Sequence, residues 1–320
     1  MGSIGAKARG GARTCKGLRM QRKWLAAGVA LLMSAAVTVA AQDAARGKAQ
    51  AGASYLGFDR NDYPGDAALP LLRRSFVYTS YWLNHPPGEA ANRWAGKRAI
   101  LRRNGFGFLV LFTGRSDAEI ETEVKAGGNT AQLGARDGKA AAEAAAREGF
   151  EKNVLIFLDQ EEGGRLLPEQ VAYLFAWVDA VRASGARAGV YCSGIDVKEG
   201  SGTISTARDI AEKEATRRQG STKNDNAARL ALWIANDECP PAPGCSFTAP
   251  SLAQGAPEGL RRFVTVWQYA QSPRRAQFSA SCPANQAPDG NCYAPGSAEG
   301  LKIFVDLDVA DSPDPSESSR

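Results

Sequence analysis

The stretch Ile156-Phe157-Leu158-Asp159-Gln160-Glu161 decides how this chain is interpreted, because an apolar run ends there in two carboxylates. Successive side chains of a β-strand point to opposite faces, so Asp159 and Glu161 are predicted to share a face and Gln160 to point away. Paired carboxyl groups suit glycoside hydrolysis, in which one acid protonates the leaving oxygen and another stabilises charge. The alternative is a loop-capping Asp159 followed by a solvated Glu161, and the pair alone leaves both interpretations open.

Seven further apolar or β-rich runs accompany this one, and segments with helical spacing separate most of them. The predicted strands cover residues 55–59, 76–82, 106–112, 154–159, 188–193, 230–235, 263–269 and 303–308. The clearest predicted helices cover residues 89–103, 138–148 and 168–183. This alternation predicts an α/β fold, a single (β/α)8 barrel of the TIM type over residues 50–311, with a disordered tail at residues 312–320.

The first 41 residues are predicted to be a cleavable signal peptide. Residues 1–23 contain seven basic side chains and no acidic one, and an apolar run follows that ends at Ala41. Met20 is an alternative start, and an uncleaved membrane anchor is the other alternative. We therefore expect a secreted or periplasmic protein with no membrane attachment after the signal is cleaved.

The formal net charge of +5 comes from that N-terminal segment. Without its seven cations, 32 basic and 34 acidic residues remain of the 39 and 34 in the whole chain, so nucleic acid is not an expected partner. A zinc site with several histidines is excluded because His85 is the only histidine, and no nucleophile-elbow motif accompanies it. Neither a metal nor another cofactor is expected.

Export implies an oxidising compartment, in which cysteines pair. Short spacing favours the disulfides Cys239–Cys245 and Cys282–Cys292. Cys192 lies inside an apolar run, so we expect it to be buried and reduced.

Polar side chains follow the predicted strands at the end where a barrel places its active site. Asp59 ends the first strand and Asp306 lies near the end of the last; these strands are neighbours in a closed barrel. The predicted catalytic residues are Asp59, Asp159, Glu161 and Asp306. The residues predicted to contact substrate are Tyr78, Trp82, Asp237, Trp267, Gln268 and Tyr269.

Five strand motifs resemble those of glycoside hydrolase family 25, the barrel lysozymes that cut peptidoglycan. They are Tyr55-Leu56-Gly57-Phe58-Asp59, Leu158-Asp159-Gln160-Glu161, Leu232-Trp233-Ile234-Ala235, Val266-Trp267-Gln268-Tyr269 and Val305-Asp306-Leu307-Asp308. The chain resembles still more the related bacterial glycoside-hydrolase-like domain of mostly unassigned activity, through its length and through Gly105-Phe106-Gly107-Phe108 and Gly189-Val190-Tyr191.

The resemblance covers residues 54–311 and implies roles for the four carboxyl groups. Glu161 would be the general acid, Asp159 its electrostatic partner, and Asp59 and Asp306 the groups that orient or stabilise substrate. The implied function is an exported glycosidase that acts on a cell-wall glycan, peptidoglycan. The alternatives are a non-catalytic carbohydrate-binding or wall-associated barrel and, third, divalent-cation binding by the acid cluster.

Overall fold

A computed structural model of the chain describes residues 54–161, 163–219, 229–237, 244–272, 291–297 and 302–317. Eight strands close into one barrel, and each overlaps one of the predicted runs. They are β1 (Tyr55–Asp59), β2 (Tyr78–Trp82), β3 (Gly107–Thr113), β4 (Leu155–Asp159), β5 (Arg187–Ser193), β8 (Ala231–Ala235), β9 (Val264–Ala270) and β10 (Asp306–Ala310). Between β5 and β8, the strands β6 (Val197–Glu199) and β7 (Gly202–Ile204) form a separate hairpin.

Helices connect several of the parallel strands. They are α1 (Leu69–Leu72), α2 (Arg98–Arg103), α3 (Asp117–Lys125), α4 (Thr130–Arg147), α5 (Pro168–Ala183), α6 (Thr206–Gln219) and α7 (Leu252–Gly255). The prediction for α5 is confirmed in both bounds. The helix predicted at 138–148 begins earlier, because Asn129 caps it by accepting a hydrogen bond from the backbone of Gln132 at 3.0 Å. Of the helix predicted at 89–103, only Arg98–Arg103 is helical.

The predicted (β/α)8-type barrel is confirmed, and its irregularity is that the last strand runs against the others. β10 pairs antiparallel with both β1 and β9, whereas the other neighbouring pairs are parallel. The predicted run at 303–308 overlaps β10 only in part, because the strand starts at Asp306. Asp306 therefore lies at the beginning of its strand, and the reversed direction brings it to the rim where the parallel strands end.

The helices α4 and α5 pack closely on the outside of the barrel, since glycines on α4 face the backbone of α5. A Cβ atom at Gly134 would lie 2.1 Å from the carbonyl oxygen of Tyr173, and one at Gly138 would lie 2.5 Å from that of Trp177. Only glycine fits at these two positions without moving the helices apart. The pair also contacts the barrel wall, where the rings of Trp177 on α5 and Phe112 on β3 lie 6.4 Å apart between centroids.

The chain end packs against the base of the barrel, opposite the rim of the acids. Ser316 is fully buried, accepts a hydrogen bond from the backbone of Val110 and donates its own N–H to Phe108. Arg98 forms an ion pair with Glu317 at 2.7 Å, and Arg102 forms one with Asp314 at 2.7 Å. The expectation of disorder is thus wrong for residues 312–317, because the tail completes hydrogen bonds at the start of β3; residues 318–320 lie outside the described part.

The disulfide found in the structure differs from both predicted pairs. Cys245 is bonded to Cys292, which links the connection before β9 to the one after it across 47 positions of sequence. Proximity in sequence was misleading because the two loops meet in space beside β9, while Cys239 and Cys282 lie outside the described residues. Cys192 is a buried free thiol, as predicted.

No helix in the described ranges is long and apolar enough to cross a membrane. The predicted signal peptide, residues 1–41, lies outside the described part of the chain.

Candidate active site

The register of the β1–β10 pair brings acidic residues together at the rim. The Cα partner of Asp59 is Asp306, and Asp308 lies opposite Gly57 on β1 and Gln268 on β9. Asp59 and Asp308 are buried, and Asp306 is partly buried. The antiparallel strand thus places three carboxyl groups within one small part of the barrel.

The end of β4 brings the predicted acid pair to the same rim. Asp159 is buried at the last position of the strand, and Gln160 continues the hydrogen-bond ladder by donating its N–H to the carbonyl of Tyr191 at 3.0 Å. Asp159 and Glu161 both line one cavity, whereas Gln160 is buried and lines neither cavity described below. Glu161 itself is exposed, so its carboxyl group stands in contact with solvent.

Two adjoining cavities open at this rim. The inner cavity, about 100 Å³, is lined by Asp59, Asn61, Trp82, Leu111, Asp159, Glu161, Tyr191, Trp233, Gln268, Gln271 and Asp306. The outer cavity, about 350 Å³, is lined by Glu161, Gly163, Tyr191, Ser193, Ile195, Val197, Ala235, Asp237 and Gln271. Glu161, Tyr191 and Gln271 line both, so they stand at the boundary between the two cavities.

Hydrogen bonds connect the buried acids to this boundary. The amide of Gln268 donates to Asp59 at 2.7 Å and accepts from the hydroxyl of Tyr191 at 2.9 Å. The same hydroxyl accepts from the amide of Gln271 at 3.2 Å. Because an amide has a distinct donor and acceptor end, this series of hydrogen bonds fixes the orientation of the Gln268 amide between Asp59 and Tyr191.

Burial favours the protonated form of the acids on β1 and β10. It raises the pKa of Asp59 to about 6, against the opposing effect of the hydrogen bond from Gln268. Burial and the neighbouring charge of Asp59 raise the pKa values of Asp306 and Asp308 well above the ordinary range. Trp233 donates its indole N–H to Asp308 at 3.0 Å, which accounts for one oxygen of that carboxyl group. This side of the site therefore retains protons near neutral pH.

The predicted substrate-contacting residues divide into two groups. Trp82, Gln268 and Asp237 line the cavities, and their contact with substrate stays a prediction. Tyr78, Trp267 and Tyr269 are fully buried and line neither cavity, and their contact with substrate stays a prediction that the cavities do not support.

Each of the three buried aromatics has a packing role. A Cβ atom at Gly57 would lie 1.9 Å from the ring of Tyr78, and one at Gly255 would lie 1.9 Å from the ring of Trp267. Tyr269 donates its hydroxyl to the carbonyl of Ser246 at 2.5 Å. Trp267 and Tyr269 flank the inward-pointing Gln268, so the alternation of a strand turns both of them away from the cavity.

Sequence reasoning assigned no role to five residues that line the inner cavity: Asn61, Leu111, Tyr191, Trp233 and Gln271. Tyr191 lies on β5, where its Cα is paired with that of Asp159. That pairing becomes visible only when the register is known. Among the described residues, no group of three His, Cys, Asp or Glu side chains is arranged to hold a metal ion.

The chain is similar to a known domain family and to solved structures. Residues 86–237 match the model of the Rv2525c-like, glycoside hydrolase-like domain. An uncharacterised protein of B. stearothermophilus is similar at 20% identity and a TM-score of 0.52, over 80% of this chain and 95% of that one. Among the curated proteins, none matches the chain significantly.

Two further solved structures are more distant. The Tat-secreted protein Rv2525c of Mycobacterium tuberculosis, in complex with HEPES, has 12% identity and a TM-score of 0.46, over 82% of this chain and 99% of that one. A family 25 glycosyl hydrolase from Bacillus anthracis has 13% identity and a TM-score of 0.41, over 80% of this chain and 88% of that one. The family match over residues 86–237 confirms the similarity to the glycoside-hydrolase-like domain that the strand motifs predict.

Proposed function

We propose that this protein is an exported glycoside hydrolase that cleaves a bacterial cell-wall glycan, peptidoglycan. The observation that carries the proposal is the shared cavity of Asp159 and Glu161, with Asp59 and Asp306 on the opposite strands. Carboxyl groups on two sides of one cavity are the arrangement that glycoside hydrolysis requires. The similarity to a glycoside hydrolase-like domain supports the same class of reaction.

Glu161 is the proposed general acid. It stands where the two cavities meet, so a glycan that occupies both would place a glycosidic oxygen beside its carboxyl group. Because Glu161 is exposed, it can exchange protons with solvent between turnovers. Protonation of the leaving oxygen by this group breaks the bond as positive charge develops on the sugar.

Asp159 is the carboxylate proposed to stabilise that charge. It shares the inner cavity with Glu161, whereas burial and Asp59 raise the pKa of Asp306 and keep a proton on the β1–β10 side. Asp59 and Asp306 would then orient sugar hydroxyls by hydrogen bonds. A substrate acetamido group, where one is present, could take over part of the stabilisation.

The test is digestion of purified peptidoglycan, with the released fragments identified by mass spectrometry. Glu161→Gln keeps the side-chain shape but removes the proton donor, and should lower turnover by about 10²–10⁴ while glycan binding stays nearly intact. Glu258→Gln is the matched control, because Glu258 is an exposed glutamate that precedes β9 and lines neither cavity.

The same experiment separates the two classes of function. Fragments released by wild type and by Glu258→Gln, but not by Glu161→Gln, support the hydrolase. Equal binding of peptidoglycan by all three proteins, with no release by any of them between pH 4 and 8, supports the carbohydrate-binding barrel instead.

A further inference from the structure

The hairpin β6–β7 forms one wall of the outer cavity. Its two strands pair between Val197 and Ile204, and most of its residues are exposed. Val197 and Ile195 line the cavity, and Val197 is 39% exposed. An aliphatic side chain that faces an open cavity provides apolar surface to whatever enters it.

The hairpin is attached to the loop that carries Glu161. Arg165 donates two hydrogen bonds to the carboxylate of Glu199, at 2.6 and 2.8 Å, and a third to Asp209 on α6 at 2.8 Å. Asp209 is fully buried and also accepts the backbone N–H of Leu166 at 3.1 Å. The hairpin, the acid-bearing loop and α6 are thus joined by one guanidinium group, whose planar fork favours a fixed geometry.

A backbone contact reinforces this attachment. Gly164 has a φ of 89°, and a Cβ atom there would lie 2.9 Å from Val197. The loop after the acid pair therefore passes directly against the hairpin, with a backbone conformation that glycine favours. The outer cavity is consequently held at a defined position beside Glu161.

We propose that the outer cavity is a second sugar subsite, with the β6–β7 hairpin as its apolar wall, and that it takes an uncharged sugar of the glycan chain. This inference rests on the proposed function, because it assigns the second sugar of the same substrate. The outer cavity adjoins the inner one at Glu161, Tyr191 and Gln271, so a chain that crosses this boundary enters both.

The chemistry of the lining fits a sugar ring. A pyranose has an apolar face of C–H groups and a rim of hydroxyl groups, and the lining offers the aliphatic Ile195 and Val197 together with the polar Ser193 and Asp237. The outer cavity of about 350 Å³ falls within the range of ligand sites, roughly 300–1,000 Å³, whereas the inner one of about 100 Å³ is smaller.

The charge of the lining selects among sugars. Glu161 and Asp237 both line the outer cavity, and no Lys or Arg is among its lining residues in the described part of the chain. Like charges repel at short range, so a sugar that carries a free carboxylate is disfavoured. An N-acetylated or simply hydroxylated sugar has no such penalty.

The first test is binding measured by calorimetry on the purified protein. The neutral probe is the β-1,4-linked tetramer of N-acetylglucosamine, and the acidic probe is tetragalacturonate. We expect the neutral tetramer to bind at least about tenfold more tightly, the ratio that corresponds to one such charge conflict. Equal affinities, or no binding of the neutral tetramer, would overturn the subsite.

Two matched variants locate the binding on the hairpin. Val197→Asn removes apolar surface without adding charge near Glu161 and should raise the Kd for the neutral tetramer by about five- to tenfold. Val124→Asn makes the same change on α3, where Val124 is 47% exposed and lines neither cavity, and should leave the Kd unchanged. If both variants bind as wild type does, the hairpin is not the wall of a subsite.

The attachment of the hairpin has its own test. Glu199→Gln removes the charge that Arg165 binds but leaves Arg165 paired with the buried Asp209, so the fold is retained. We expect the Kd for the neutral tetramer to rise about two- to threefold, less than for Val197→Asn. Glu121→Gln, which breaks only an exposed i,i+4 pair with Lys125, should have no effect. A Kd unchanged in Glu199→Gln would contradict a fixed wall.

Turnover measured in parallel distinguishes failure of this subsite from failure of the proposed function. If peptidoglycan is cleaved, Val197→Asn should raise KM and leave kcat within about twofold, since the lost contact is equal in ground and transition states. If the neutral tetramer binds through Val197 but no glycan is cleaved, the subsite stands and the hydrolase does not. If wild type and Val197→Asn cleave glycan at the same rate and with the same KM, the subsite proposal is overturned and the hydrolase proposal is supported.

Discussion

Two sides of the candidate site differ in how their carboxyl groups meet water. On the β4 side Glu161 is exposed and Asp159 lies beside it, next to an open cavity. On the β1–β10 side Asp59 and Asp308 are buried, and Asp59 accepts a hydrogen bond from Gln268. The same kind of residue is thus placed in two environments, and on the β1–β10 side burial favours the protonated form.

The difference arises from the direction of one strand. Because β10 is antiparallel, its first residue, Asp306, faces the last residue of β1, Asp59. Two carboxyl groups at such close range do not both ionise readily, so the β1–β10 side stays protonated to a higher pH. On the β4 side, Asp159 ends the strand and Glu161 lies two residues beyond it, and both line the inner cavity.

The largest expected effect follows from neutralising one acid on each side. Asp159→Asn removes a carboxylate beside the reacting sugar and should lower kcat by about 10²–10³. Asp308→Asn is the counterpart on the buried side; Asp308 lines neither cavity, and the amide oxygen can still accept from Trp233. It should change kcat by less than about tenfold. The measurement is the kcat of peptidoglycan digestion by the two variants. An equal loss of kcat in both would contradict the different roles assigned to Asp159 and Asp308.

The sequence predicts the strands of this barrel well but not the direction of the last one. Apolar runs with β-branched residues mark the strands, because their side chains must be buried on both faces. Nothing in the spacing of Val305-Asp306-Leu307-Asp308 indicates whether the chain enters the sheet from the rim or from the base. That choice depends on the connection after β9, which local patterns do not describe.

The candidate site is predictable where it depends on alternation along one strand. Asp159 and Glu161 are two positions apart, the spacing that alternation predicts for a shared face, and both line one cavity. Tyr191 is missed because its place beside Asp159 depends on register between strands. Trp267 and Tyr269 are buried for a reason that the sequence already contains, since alternation turns both neighbours of Gln268 to the other face of the strand.

A second prediction concerns the disulfide bond between Cys245 and Cys292, which links the two loops on either side of β9. The bond between Cys245 and Cys292 spans 47 positions and fixes the connections on both sides of β9, the strand that carries Gln268. The double variant Cys245→Ala, Cys292→Ala should lose about 2–4 kcal/mol of unfolding free energy in denaturant titrations. Non-reducing peptide mapping supplies the check, because a Cys239–Cys245 peptide in its place would contradict the linkage.

A third prediction uses the raised pKa of Asp59, about 6 against an ordinary 3.8. Between pH 4 and 6 the folded protein binds more protons at this group than the unfolded chain, so the free energy of unfolding falls as pH rises. Asp59→Asn removes this fall in unfolding free energy, and the oxygen of the new amide can still accept the hydrogen bond from Gln268. We expect the variant to be about 1–2 kcal/mol more stable than wild type at pH 7, with little or no gain at pH 4.

The control for this prediction is an exposed acid. Asp179→Asn breaks a surface ion pair with Arg217, and the Asp179 side chain is 56% exposed. Its stability relative to wild type should change by less than about 1 kcal/mol at either pH. A difference between Asp59→Asn and wild type that is the same at pH 4 and pH 7 would show that folding does not raise the pKa of Asp59.

The smallest expected effect comes from Tyr191, whose hydroxyl links the buried side to the boundary of the two cavities. Tyr191→Phe removes the donor to Gln268 and the acceptor for Gln271, at a cost of about 1 kcal/mol in unfolding free energy. Without that donor the amide of Gln268 is free to turn, which weakens the hydrogen bond that lowers the pKa of Asp59. The pKa of Asp59 should therefore rise above its wild-type value of about 6, and the loss of stability with pH should extend to higher pH. Carbon-13 NMR titration of the aspartate carboxyl groups measures this directly. A pKa of Asp59 that is unchanged in Tyr191→Phe would show that Gln268 keeps its orientation through Asp59 alone, and that the two sides of the site titrate independently.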